Sequence, residues 1–145
     1  TTRPFEQVGA PYIDGVALAD FLNDLNLAGA AFRPIFFRPS FGKYAGESCR
    51  GVQVHVLDRR AFRAVTVGFE VLTAIKRMWP RAFEWRVPDR GIHNFDKLAG
   101  TDRVRRAIDA GASAADLECD WARDRRPCLE QRLHYLLYPS PSGCH

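Results

Sequence analysis

Between Gly51 and Leu57 apolar and polar residues alternate one for one. Val52, Val54 and Val56 fall on one side of an extended chain, and Gln53 and His55 fall on the other. Such a segment demands a sheet with one packed face and one polar face, so something apolar must cover the valines. Phe32–Arg38, with Ile35, Phe36 and Phe37, reads as a second strand. Pro34 inside it and Pro39 beyond it confine that strand to an edge, because proline cannot donate to a ladder. Phe83–Val87 reads as a short third strand.

The cover comes from helices. Asp14 is placed as N-cap of a helix over Gly15–Leu25, whose apolar stripe is Val16, Leu18, Ala19, Phe21, Leu22 and Leu25; Asn26 and Gly29 stop it. Val65–Trp79 carries Val67, Val71, Ala74, Ile75 and Met78 at helical spacing and ends at Pro80. Phe95–Ala99 and Thr101–Ala110 read as two short helices, the second closed by Gly111. Ser113 with Asp116 resembles a capping box for a last helix, which bears Leu117, Trp121, Leu129, Leu133, Leu136 and Leu137. Pro127 is expected to kink or break it. Thr1–Ile13 reads as an irregular entry loop, Ser40–Arg50 as an exposed loop, and Pro139–His145 as a flexible tail. Few strands and several helices without a βαβ alternation give an α+β fold: a small, mostly antiparallel sheet with helices on one face and a C-terminal helical segment.

Composition narrows the function classes. The 145 residues hold 46% hydrophobic and 26% charged side chains, which suits one domain able to bury its own core. No apolar stretch is long enough to span a bilayer, and the first residues lack signal-peptide character. The 21 basic residues, nearly all arginine, are scattered among acidic ones and form no basic face with interleaved aromatics, which argues against nucleic acid. Cys49, Cys119, Cys128 and Cys144 form no CxxC pair, so zinc spacing is not met and no metal site is expected.

Three segments carry polar groups that the fold alone does not require. In Thr1–Glu6, Arg3 can clamp a carboxylate and Thr2 can donate beside it; equally, Arg3 and Glu6 can pair on the surface. Phe41–Glu47 presents Lys43, Tyr44 and Glu47 between glycines, a mixture that suits a sugar as well as a plain surface loop. Gln53 and His55 lie about 7 Å apart on one side of their strand. Hydrolysis of a glycosidic bond calls for two carboxyl groups ~5–10 Å apart. Glu6, Glu47 and Asp58 are the available candidates, and their spacing does not show that any two converge.

Read together, these motifs resemble one family. Thr1-Thr-Arg-Pro-Phe-Glu6, Gly9-Ala-Pro-Tyr-Ile-Asp14, Phe41-Gly-Lys-Tyr-Ala-Gly-Glu-Ser-Cys49, Gly51-Val-Gln-Val-His-Val56 with Asp58-Arg59, Phe95-Asp-Lys-Leu-Ala-Gly-Thr101 and Tyr135-Leu-Leu-Tyr138 occur in the order and spacing of the C-terminal domain of bacterial exo-β-N-acetylmuramidases. The resemblance runs over residues 1–138. It implies the C-terminal half of a two-domain glycoside hydrolase that releases terminal N-acetylmuramic acid from peptidoglycan fragments without metal or organic cofactor. A Rossmann-like domain and a Gly-rich stretch with a glutamate would precede Thr1, and the substrate cleft would lie between the domains. On that footing Thr2, Arg3, Lys43, Tyr44, Gln53 and His55 are candidates for sugar binding, with Glu6 and Glu47 as candidate catalytic groups. The missing domain and muramic acid saccharides are the implied partners. The implied location is the bacterial cell envelope, periplasmic or secreted, with the cytoplasm as the other choice. The alternative function is a stand-alone carbohydrate- or muropeptide-binding module, or a structural interaction domain, without catalysis.

Overall fold

The computed structural model describes residues 5–87 and 91–138. Thr2, Arg3 and the Pro139–His145 segment lie outside them. The element order is β1 (Gln7–Ala10), α1 (Gly15–Asp24), β2 (Ala30–Phe37), β3 (Cys49–Val56), α2 (Ala64–Met78), α3 (Asn94–Ala99), α4 (Arg103–Ala110) and α5 (Ala114–Arg132), with a 3-10 turn at Leu133–Tyr135. The fold is α+β, as the patterning predicts.

The sheet is antiparallel throughout, with β3 in the centre of the order β1-β3-β2. Its third strand is not the expected one. Phe83–Val87 has no regular structure, and the strand comes from the segment read as an entry loop, where Gln7 pairs with Gln53 and Gly9 with Gly51. Four residues are too few to display a period of two. What binds β1 so closely is a pair of glycines: a Cβ on Gly51 would overlap the carbonyl oxygen of Val8 and lie 2.5 Å from Gly9 Cα.

Pro34 faces Val52 on β2, the edge strand, where a missing donor is tolerated. The neighbouring edge groups are satisfied by α1. Asn23 Nδ2 donates to the Phe32 carbonyl and Asn23 Oδ1 accepts from the Phe32 N–H, both at 2.9 Å, so one amide side chain stands in for a further strand. The Asp14 carboxylate caps α1 by accepting from the Val16 and Ala17 N–H groups at 3.0 and 3.2 Å.

Two apolar cores follow. The main one joins Val52 and Phe32 of the sheet to Leu18, Ala19 and Leu22 of α1 and to Val67, Val71, Ala74 and Ile75 of α2. Phe69, on another side of α2, starts the second with Ile108, Ala114 and Leu117. Arg105 secures that second layer. It grips Asp96 with two guanidinium nitrogens at 2.8 and 2.9 Å and lies 3.7 Å from Asp109, which also accepts from Lys76 and, at 2.8 Å, from Trp85 Nε1. The bidentate donation holds the Asp96 carboxyl below its ordinary range.

The capping box at Ser113 forms with aspartate in the third position: Ser113 N–H and Oγ donate to Asp116 at 3.0 and 2.7 Å. Helix α5 then runs without a break through Pro127, contrary to one of the two outcomes expected there. Beyond Leu117 and Trp121 its apolar stripe is not packed within the described residues. Leu133, Tyr135, Leu137 and Tyr138 are exposed.

Candidate functional site

Cross-strand pairing decides which side chains share the polar face of the sheet. Opposite residues in an antiparallel pair point the same way, so Arg33 of β2 and Gln7 of β1 flank Gln53, and Ala31 flanks His55. Gln53 is the buried polar residue among those described, only 3% exposed, although it lies on the side away from the valines. A buried amide must use both its ends. Its Oε1 accepts from Arg33 Nη2 at 2.9 Å, and its Nε2 donates to Glu6 Oε2 at 3.2 Å. The result is a row of cation, amide and anion running from β2 across β3 to the residue just before β1.

Glu6 is placed by its own backbone, since its carbonyl accepts from the Val54 N–H at 2.8 Å. Phe5, just before it, has a left-handed backbone (φ 64°) and a fully exposed ring. That conformation costs a non-glycine residue roughly 1–2 kcal/mol, so neighbouring structure has to impose it. Glu6 and His55, with Val54, Val56, Arg59 and Phe62, line an open cleft of about 440 Å³. His55 Nε2 itself is buried, without a hydrogen-bond partner among the described residues.

The Phe41–Glu47 loop lies beyond the opposite end of β3. Lys43 Nζ stands 5.2 Å from the Tyr44 ring centre, a cation–π contact. Tyr44 also packs on the main core, near Tyr12, whose hydroxyl is pushed up by burial and by the neighbouring Tyr44 and Glu84. Lys43 shares a second cleft, about 530 Å³, with Gly42, Glu84 and Trp85. Glu47 is exposed at the end of this loop. Burial, together with the Glu47 charge, holds the Cys49 thiol above its ordinary range, so Cys49 is a poor nucleophile.

The structure therefore groups Glu6, Gln53 and His55 at one site and Lys43 with Tyr44 at another. Five residues of β3, about 17 Å at strand rise, separate the backbone positions that anchor Glu6 and the Glu47 loop, more than a glycosidase carboxyl pair spans. Asp58 is committed to its turn, its Oδ1 accepting from the Arg60 N–H at 2.8 Å. Among the described residues no three His, Cys, Asp or Glu side chains are arranged to hold a metal ion. Arg33, Arg59 and the exposed Phe5 ring were not singled out from sequence. Arg33 becomes visible only once the β2–β3 register is known, and an eleven-residue loop hides that register.

A family model for the C-terminal part of the exo-β-N-acetylmuramidase NamZ matches residues 1–138. The peptidoglycan β-N-acetylmuramidase NamZ of Bacillus subtilis (strain 168) is 38% identical over 138 residues, which is 95% of this chain and 32% of that protein. A crystal structure of a DUF1343 family protein from Bacteroides fragilis superposes with a TM-score of 0.76 at 26% identity, covering 94% of this chain and 36% of that one. The chain thus spans about a third of the length of these relatives.

Proposed function

We propose a function from one premise: the chain belongs to the family of exo-β-N-acetylmuramidase NamZ C-terminal domains. Within a peptidoglycan-cleaving hydrolase it supplies one wall of the saccharide cleft, and that wall is the polar side of the three-stranded sheet. The observation that carries this reading is Gln53. A side chain buried on the sheet face away from the valines, fastened to Arg33 on one side and Glu6 on the other, is a rigid mount for groups that meet a ligand.

The chemistry suits a terminal N-acetylmuramic acid. Its pyranose offers hydroxyls to the Glu6 carboxylate, and its apolar ring face can stack on Phe5. Thr2 and Arg3, immediately before Phe5, belong to the same strip of chain. Glu6 is one of the two carboxyl groups that glycosidic cleavage uses. The second comes from the part of the relatives that lies outside this third of their length. Lys43 and Tyr44 form a flanking subsite, suited to the sugar or peptide beyond the cleaved bond.

The test is an assay of two proteins on a chromogenic N-acetylmuramic acid glycoside. The full-length protein is expected to turn over, and Glu6→Gln in it to lower kcat by at least roughly a hundredfold, the scale of a lost acid–base group. The 145-residue chain alone is expected to fold cooperatively and show no multiple turnover. Sustained turnover by the chain alone, or an undiminished Glu6→Gln enzyme, contradicts the proposal.

A further inference from the structure

We infer that Arg33 recognises the lactyl carboxylate of the terminal muramic acid, an assignment that rests on the cleft-wall reading above. Arg33 carries five guanidinium N–H donors, and its hydrogen bond among the described residues uses one nitrogen, Nη2, on Gln53 Oε1. No described carboxylate lies within ion-pair distance of it. Arg103, Arg105, Arg106, Arg123 and Arg126 each meet an Asp or Glu at 2.8–3.7 Å; Arg33 is among the described arginines that do not, and it is held instead by the buried Gln53 amide. An exposed guanidinium oriented by a buried amide, with no counter-charge among the described residues, is placed to meet an anion from outside.

Gln53 explains how the charge stays available. Glu6 and Arg33 lie on opposite sides of Gln53, and direct contact between them would satisfy both. The buried amide stands in the gap, accepting from the cation and donating to the anion, so each charge is oriented without being cancelled. An N-acetylglucosamine unit would use Glu6 and its neighbours in the same way as muramic acid. Muramic acid alone adds a carboxylate, on a short ether arm from the ring, and a planar carboxylate is the group that a guanidinium fork matches in two-point contact. Arg33 is thereby a specificity-determining residue: it separates the two sugars of the peptidoglycan backbone.

The experiment crosses the protein side chain with the substrate charge. Full-length wild type, Arg33→Lys and Arg33→Ala are assayed on chromogenic glycosides of N-acetylmuramic acid and of its lactyl methyl ester. Wild type is expected to favour the acid by roughly tenfold to a hundredfold in KM, the range of a charge-assisted contact. Arg33→Ala should erase that preference between acid and ester, and Arg33→Lys should keep part of it. Thermal melts of all three verify folding, because Arg33→Ala also removes a donor from the buried Gln53 amide. If wild type does not distinguish acid from ester, or Arg33→Ala distinguishes them as well as wild type, the assignment is overturned and the cleft-wall reading survives. If wild type cleaves neither substrate, the cleft-wall reading itself falls and takes Arg33 with it.

Discussion

Gly51 shows how one residue governs the geometry of the site. It occupies the middle of the central strand, where β propensity would place a valine, and its missing side chain lets Val8 and Gly9 approach to ladder distance. Gly51→Ala would force β1 away from β3 and with it the Glu6 carboxylate, whose position depends on the adjoining Val54 hydrogen bond. The substitution is expected to cost about 2–3 kcal/mol in a denaturant melt, the scale of overpacking at a close contact, and to weaken sugar binding as well. A melt within a few tenths of a kcal/mol of wild type would show that β1 is not held this way. The sequence displayed Gln53 and His55 as a pair, because a period of two survives over seven residues. It did not display that Gln53 is buried, or that it bonds to Arg33 and Glu6, which lie 20 and 47 positions away. His55 remains half-hidden with an unspent nitrogen, a feature only coordinates reveal.

Among the elements, those announced by local chemistry were legible and those made by pairing were not. Asp14 and Ser113 cap their helices as their identities suggested, and α2 follows its apolar spacing to within a residue at each end. β1 escaped notice because its stability lies in its partner, not in its own letters. Phe83–Val87 carried strand-like residues, yet its aromatics serve packing instead: Trp85 stacks near Phe83 and Phe95, each 4.9 Å away, and donates to Asp109. Pro127 is accommodated because α5 is exposed there, so the Arg123 carbonyl that loses its intrahelical donor can turn to water. The α3–α4 pair offers an acid-sensitive joint. Asp96 has a lowered pKa from Arg105 donation, so its contribution to stability is complete above the ordinary aspartate range near ~3.9 and is lost as pH falls through the lower folded value. Asp96→Asn should therefore lower the melting temperature at pH 7 and match wild type only in strong acid. A gap between the two proteins that is the same at pH 7 and pH 2 would contradict this.

For the whole molecule, family membership explains an otherwise odd allocation of residues. A chain able to bury two apolar cores also carries an exposed phenylalanine beside a carboxylate, a counter-ion-free arginine, and an apolar C-terminal stretch open to solvent. On the proposed reading, the first two meet a saccharide at the edge of the three-stranded sheet. Composition and periodicity could establish the α+β class; they could not assemble the site, because its parts meet only through strand register. The decisive measurement is a crystal structure of the full-length protein, in a variant too slow to consume it, holding an N-acetylmuramic acid glycoside. The account predicts the sugar on the β1-β3-β2 face, with polar atoms within hydrogen-bond reach, ~3 Å, of Glu6 and Arg33. A sugar bound in a cleft that this sheet face does not line would contradict it.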